Sequence, residues 1–322
     1  MPDLNVGGQA VIEGVMMRSK DRVATAVRVP SGEILIKTEE YKTLASRYKP
    51  LKLPILRGAV AFVEMMILGI RTLNFSAEIA INEAEKEEAA AKGEIHQPKD
   101  KKKSSIYLAL TAGFALVLGI GIFFFLPLAI SEWFSIDRDA VGFNLVAGGI
   151  RLTMFVLYVW GISQFGDFRR VFEYHGAEHK SIFTYERGQD LTPEIASTHT
   201  RFHPRCGTSF VLIVALLAIF IFSVSDSLYT LWSGSAPDLL TRFAIHFSLL
   251  PLVAGTSYEL LKLSGKTRDN AVTRFLIAPG LWLQKITTKE PSLDQLEVAI
   301  AALEAALGVE ESKLTSTRTP VS

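Results

Sequence analysis

The chain is poor in cysteine: Cys206 is the only one in 322 residues. That excludes a disulfide framework and any multi-cysteine zinc ribbon or iron–sulfur cluster. It also lacks an excess of either charge. Its 34 Lys+Arg against 33 Asp+Glu leave a net charge of +1, which excludes the strongly basic balance of a dedicated nucleic-acid binder. No basic-then-apolar signal peptide opens the sequence, so the first apolar span is expected to serve as the insertion signal. What is abundant is grease, with 49% hydrophobic residues beside 21% charged. A mean hydropathy of +0.27 with an ordinary charge content requires the two to be segregated along the chain.

Four runs hold the apolar residues. Residues 106–130 contain no charge and, at ~1.5 Å per residue, exceed a hydrocarbon core of ~30 Å. Residues 143–165 carry only Arg151, 209–229 only Asp226, and 239–261 hold Arg242, His246 and Glu259. Of the 34 basic residues, 31 precede the first run, lie between the second and third, or follow the fourth. By the positive-inside rule both termini and the 166–208 loop are cytoplasmic. The expected fold is mainly α: a four-span transmembrane helical bundle with a small cytoplasmic N-terminal β-hairpin region and cytoplasmic amphipathic helices. The divisions are 1–105, 106–261 and 262–322.

Within the first region, residues 21–29 and 33–38 are rich in Val, Ile and Thr and flank Pro30-Ser31-Gly32, the pattern of a hairpin. Residues 55–80 predict a helix whose apolar stretch is too short to span, and which lies on the interface or packs on the bundle. Residues 83–103 predict a solvated helix and linker. Residues 294–307, with Leu296, Ile300, Leu303 and Leu307 at helical spacing, predict another helix. The Ser/Thr-rich last ten residues are expected to be disordered.

Four of the six histidines and the cysteine fall between residues 175 and 206. His175 and His179 stand at i and i+4, so a helix stacks both imidazoles on one face, within reach of one ion. The run His175-Gly176-Ala177-Glu178-His179 also matches H-x-x-E-H, in which two histidines bind zinc and the glutamate acts as base toward water. Glu178 is therefore the candidate catalytic base. A third ligand could be Glu186, His203 or Cys206. Arg151, Asp226 and His246 form a second set inside the apolar runs, with an Arg151–Asp226 structural pair expected. Gly113, Gly119 and Gly121 read as helix close-packing positions.

These blocks resemble the YqhQ-like family of bacterial membrane proteins. The resemblance opens with Gly7-Gly8-Gln9-Ala10-Val11-Ile12-Glu13-Gly14-Val15-Met16-Met17-Arg18. It continues through Pro54-x-x-Arg57-Gly58, then Tyr174 to Lys180, then Arg201-x-His203-Pro204-Arg205-Cys206-Gly207-Thr208-Ser209. Gly255-x-Ser257-Tyr258-Glu259, Pro279 to Gln284 and Thr287-Thr288-x-Glu290-Pro291 complete it. Ser19 departs from the glycine expected in many relatives. The family is a domain of unknown function whose members are often labelled predicted metal-dependent enzymes. The resemblance therefore implies metal-site roles for His175, Glu178, His179, His203 and Cys206.

Topology brings Glu13, Arg18 and Glu259 to the same face as the histidines, as candidates for orienting them or for binding substrate. Trp282 suits an interfacial anchor. The leading expectation is a metal-dependent, hydrolase-like enzyme with a divalent cation such as zinc, at the cytoplasmic face of the inner (plasma) membrane. The alternatives are a scaffold or assembly factor, docking partners through the hairpin and the C-terminal helix, and a small transporter. Expected partners are membrane lipids, with a protein partner or homo-oligomer possible and no nucleic acid.

Overall fold

The computed structural model describes residues 6–92, 101–134, 140–266, 271–308 and 318–320. Its N-terminal part is an antiparallel meander of β1 (Gly7–Val11), β2 (Gly14–Arg18), β3 (Arg22–Arg28) and β4 (Ile34–Glu40). A short β5 (Arg318–Pro320) pairs in parallel with β4, so part of the tail expected to be disordered completes the sheet. The anticipated hairpin is β3–β4, with Arg28 opposite Ile34 and Gly32 at φ 90° in the turn. β1 and β2 extend it. Gly14 is needed at the start of β2 because a Cβ there would lie 2.1 Å from the Ala26 carbonyl oxygen.

Alternation along the strands covers both faces of the sheet. Val15, Met17, Ala24, Ala26, Ile34 and Ile36 join one core, and Val11, Met16, Val23 and Val27 the other.

Fourteen further segments follow among the described residues. They are α1 (Leu44–Arg47), a 3₁₀ turn (Lys49–Lys52), α2 (Leu56–Lys92), α3 (Lys101–Ile120), a π turn (Gly121–Phe125), α4 (Leu126–Trp133) and α5 (Ala140–Ile162). After these come α6 (Gly166–Glu186), α7 (Pro193–Ser197), α8 (Gly207–Ser233), α9 (Leu239–Ser248), α10 (Leu250–Lys266), α11 (Ala271–Thr287) and α12 (Leu293–Leu307). α2 does not stop at residue 80. The Ala-, Glu- and Lys-rich run beyond it has high helix propensity and continues the helix to Lys92; residues 93–100 of the expected linker lie outside the described residues.

α12 is closed at its start by a Ser292/Gln295 capping box and at its end by Gly308 at φ 72°. It is the centre of the larger core, with Leu296, Ala299, Ala301, Ala302 and Leu303 at 0% exposure. Each buried leucine contributes about 2 kcal/mol. The helix that a scaffold would offer to partners is thus consumed by the chain's own sheet and by α6. Gln284 at the end of α11 and Lys289 beyond it then bring the chain back onto the same unit.

Among the described residues, three helical segments are long and apolar enough to cross a bilayer: Gly113–Trp133, Val141–Ile162 and Phe210–Ser233. A fourth results if Leu239–Ser248 and Leu250–Leu263, bent by 45°, count as one. They overlap the four expected runs, with ends that differ by up to seven residues. The π turn has a definite cause. Pro127 has no N–H to give the Phe123 carbonyl, and the Arg151 guanidinium donates there instead, at 2.9 Å to Phe123 O and 3.4 Å to Phe124 O.

Arg151 is therefore not the partner of Asp226. That carboxylate forms an ion pair with Arg242 at 2.9 Å and hydrogen bonds with His246 Nε2 at 2.9 Å and Asn144 Nδ2 at 2.8 Å, and Asp226, Arg242 and His246 are fully buried. The expected pairing fails because height along a helix axis does not fix which face a side chain occupies. The glycine expectation fails as well, since a Cβ on Gly113, Gly119 or Gly121 would meet nothing within 4 Å. Close packing between apolar helices occurs instead at Gly148, where a Cβ would lie 2.3 Å from Ile219.

Candidate metal centre

α6 carries His175 and His179 one turn apart, their ring centroids 4.5 Å from each other. It is held against the sheet by Tyr174, Ala177 and Ile182 in the larger core. On its other side it meets the segment after α11 so closely that a Cβ on Gly176 would sit 2.1 Å from the Lys289 carbonyl oxygen. Lys180, 2% exposed, donates to Ser197 O at 2.8 Å and pairs with Glu290. The helix is thereby clamped on three sides.

Both imidazoles are oriented by backbone carbonyls. His175 Nδ1 lies 2.8 Å from Thr287 O, and His179 Nδ1 is bonded to Arg201 O. A carbonyl oxygen only accepts, so each Nδ1 carries a proton, and the neutral form of each ring presents an Nε2 lone pair. His175 Nε2 lies 3.3 Å from Cys206 Sγ, and His179 Nε2 is buried without a hydrogen-bond partner. The ligand atoms of His175, His179 and Cys206 all fall within 4.8 Å of one another.

Tetrahedral zinc with nitrogen and sulfur ligands needs separations of about 3.3–3.7 Å. The His175–Cys206 edge is already there, and the trio would close by about an ångström on binding. Orientation of ligating histidines by carbonyls on the far ring nitrogen is the usual second layer of such sites. The donor set fits a divalent transition metal.

Electrostatics favour metal-ready protonation at His179, because burial, followed by the neighbouring His175, pushes its imidazole below the ordinary value. Cys206 is the N-cap of α8 and its sulfur also meets Thr208 Oγ1 at 3.2 Å. Glu178 is 6% exposed, and its carboxylate approaches His175 Nε2 at 3.9 Å. Burial pushes its carboxyl above the usual carboxylate range, opposed by His175, His203 and the backbone N–H of Gly8.

The chain matches, over residues 53–309, the family described as "Protein of unknown function (DUF1385)". That match covers well over half the sequence. The chain belongs to the DUF1385 family. It is also 33% identical to "Uncharacterized protein YqhQ" of Bacillus subtilis (strain 168), over 94% of this chain and 92% of that protein. No solved structure matches it. The DUF1385 match begins just before α2, so strands β1 to β4 lie outside the matched range.

The other anticipated site residues have different surroundings. His203 Nδ1 accepts from Arg205 N at 3.3 Å, leaving its Nε2 3.5 Å from Glu186, which pairs with Arg205. His203 and Glu186 thus form a buttress beside the trio. The His179 and His203 rings are 5.6 Å apart. Glu13, at φ 52° in the β1–β2 turn, pairs with Arg170 and lies 3.4 Å from Tyr174 Oη. Arg18 stacks over Tyr41 and contacts Met65 Sδ, and Glu259 pairs with Arg57.

Sequence reasoning missed Gln284, whose amide bridges the backbone N–H and carbonyl of His203, both at 2.8 Å. It also missed the Thr287 and Arg201 carbonyls. A buried glutamine ending an apolar helix was the one available signal.

Proposed function

We propose that this DUF1385 chain is a multi-pass membrane protein with a divalent-metal centre of His175, His179 and Cys206, acting as a hydrolase at the cytoplasmic face. The observation that carries this reading is the convergence of two carbonyl-oriented imidazoles and a helix-capping thiol on one point. A set of three protein ligands, rather than four, is the mark of catalytic rather than structural zinc. The orientation is supported by 31 of 34 basic residues lying outside the apolar runs on one side. Cys206 caps the helix whose apolar segment begins at Phe210, so the centre would lie beside the membrane surface.

A divalent ion there supplies Lewis acidity toward a carbonyl or phosphoryl oxygen. Glu178, its affinity for a proton raised by burial, takes a proton from the attacking water and returns it to the leaving group. Gly8 N–H fixes the carboxylate for that role. Lys180 and Gly176 hold α6, and with it both imidazoles, in place.

Cobalt substitution of the purified full-length chain tests the donor set. A thiolate-to-cobalt charge-transfer band is expected, lost in Cys206→Ser; absence of the band in the wild type refutes the assignment. Glu178→Gln should keep the metal and abolish turnover of phosphodiester or peptide probes in proteoliposomes. Turnover that survives Glu178→Gln removes its role as base.

A further inference from the structure

α2 is apolar on two sides. One side packs on the sheet through Leu68, Met65, Phe75 and Ile79. The opposite side leaves Leu56, Phe62, Val63, Met66, Ile67 and Ile70 exposed, each by 39–55%. No charged residue joins that exposed face between Leu56 and Ile70, because Glu64 is turned toward α1 to accept from Leu44 N. Exposed charge resumes at Arg71 and Glu78. A face of this kind on a helix that ends polar is the signature of partial immersion in a bilayer.

Its height is set by the apolar bundle. Ile55, at φ 69°, approaches α10 where a Cβ on Gly255 would lie 2.3 Å from the Ile55 carbonyl oxygen. Arg57 pairs with Glu259, which stands four residues before the end of the bent apolar pair at Leu263; that is ~6 Å of helix. The Phe62 ring meets Phe210, the first residue of another apolar segment. The start of α2 is therefore pinned at the end of the apolar layer nearest the sheet. At the same level, the 3₁₀ turn offers Lys49 and Lys52, both exposed, and no described ion pair includes either.

We propose that this turn and the first four turns of α2 form a binding site for anionic phospholipid in the leaflet nearest the sheet. The apolar face lies among acyl chains, and the ammonium groups of Lys49 and Lys52 hold the headgroup phosphate. Continuity with the apolar helices and the paired cations favour lipid over a second protein as the occupant.

Two measurements on the full chain test this. In native mass spectrometry from detergent, phosphatidylglycerol should be retained in preference to phosphatidylcholine, and Lys49→Gln/Lys52→Gln should weaken retention about thirty-fold. Equal retention of the two lipids, or no change in the variant, overturns the headgroup site. In proteoliposomes, a photo-crosslinking amino acid at Ile67 should give lipid adducts, and one at Glu78 should not. Protein adducts at Ile67, or no lipid adduct there, overturn the immersion. The same probe at Leu216, 51% exposed on α8, should also label lipid. If it fails together with Ile67, the membrane reading itself fails; if it labels alone, only the α2 proposal does.

Discussion

Gly176→Ala should damage the candidate centre without touching a ligand. The added Cβ would begin 2.1 Å from Lys289 O, whereas real contacts essentially never fall under 3.0 Å. The two backbones must separate by about 0.9 Å, the difference between those two distances. Neither side can yield cheaply. α6 is clamped by the buried Lys180, and the Lys289 strand of chain is tied to it by the Lys289 N–H donating to Phe172 O at 2.8 Å. Overpacking of this kind costs about 1–3 kcal/mol, and loss of that hydrogen bond adds about 1 kcal/mol.

The same displacement moves Thr287 O, which orients His175, so metal affinity should fall about tenfold. Thermal unfolding in detergent and equilibrium metal titration would measure the two effects. Gly166→Ala, on the same helix with nothing within 4 Å, is the control and should leave both unchanged. Wild-type stability and affinity in Gly176→Ala would refute the argument from backbone contact.

Other consequences can be checked independently. Asp226→Asn removes the buried carboxylate charge that pairs with Arg242 and His246 and should cost about 3–5 kcal/mol, read by unfolding in mixed micelles; a double-mutant cycle between Arg151 and Asp226 should show coupling near zero. Gln284→Leu removes two buried hydrogen bonds to the His203 backbone, whose carbonyl still accepts from Cys206 N–H at 3.2 Å, and should cost about 1–3 kcal/mol, measured the same way.

For pH, burial holds His179 below its ordinary value, so the unfolded chain takes up the proton first. His179 therefore gives its full contribution to stability above about pH 6.5 and loses it as pH falls through the depressed folded value. Metal-free His179→Gln should accordingly be less acid-sensitive than wild type in pH-resolved thermal melts.

Much of the architecture was legible because lipid-length apolar runs and helical spacing are one-dimensional signals. The four apolar segments and the β3–β4 hairpin fall where those signals put them. β1 and β2 escaped because Gly7-Gly8 and Gly14 have low strand propensity; the glycines serve tight approaches, with Gly8 lying under Met16 O and Glu178. α11 escaped because Pro279-Gly280 reads as a break, yet the helix runs through both.

The histidine pair was visible from i, i+4 spacing. That Cys206, rather than His203 or Glu186, completes the closest trio depended on tertiary placement: Arg205 occupies Glu186, and the His203 tautomer turns a proton toward that carboxylate. The carbonyls that orient the imidazoles belong to the backbone and have no sequence signature.

Whether His175, His179 and Cys206 hold one metal ion is decided by elemental analysis of the purified full-length chain after dialysis against a weak chelator. About one equivalent of a divalent transition metal is expected in the wild type, with near-complete loss in the His175→Ala/His179→Ala double variant. A metal-free wild type that cannot be reconstituted, or an unchanged metal content in the double variant, would contradict it.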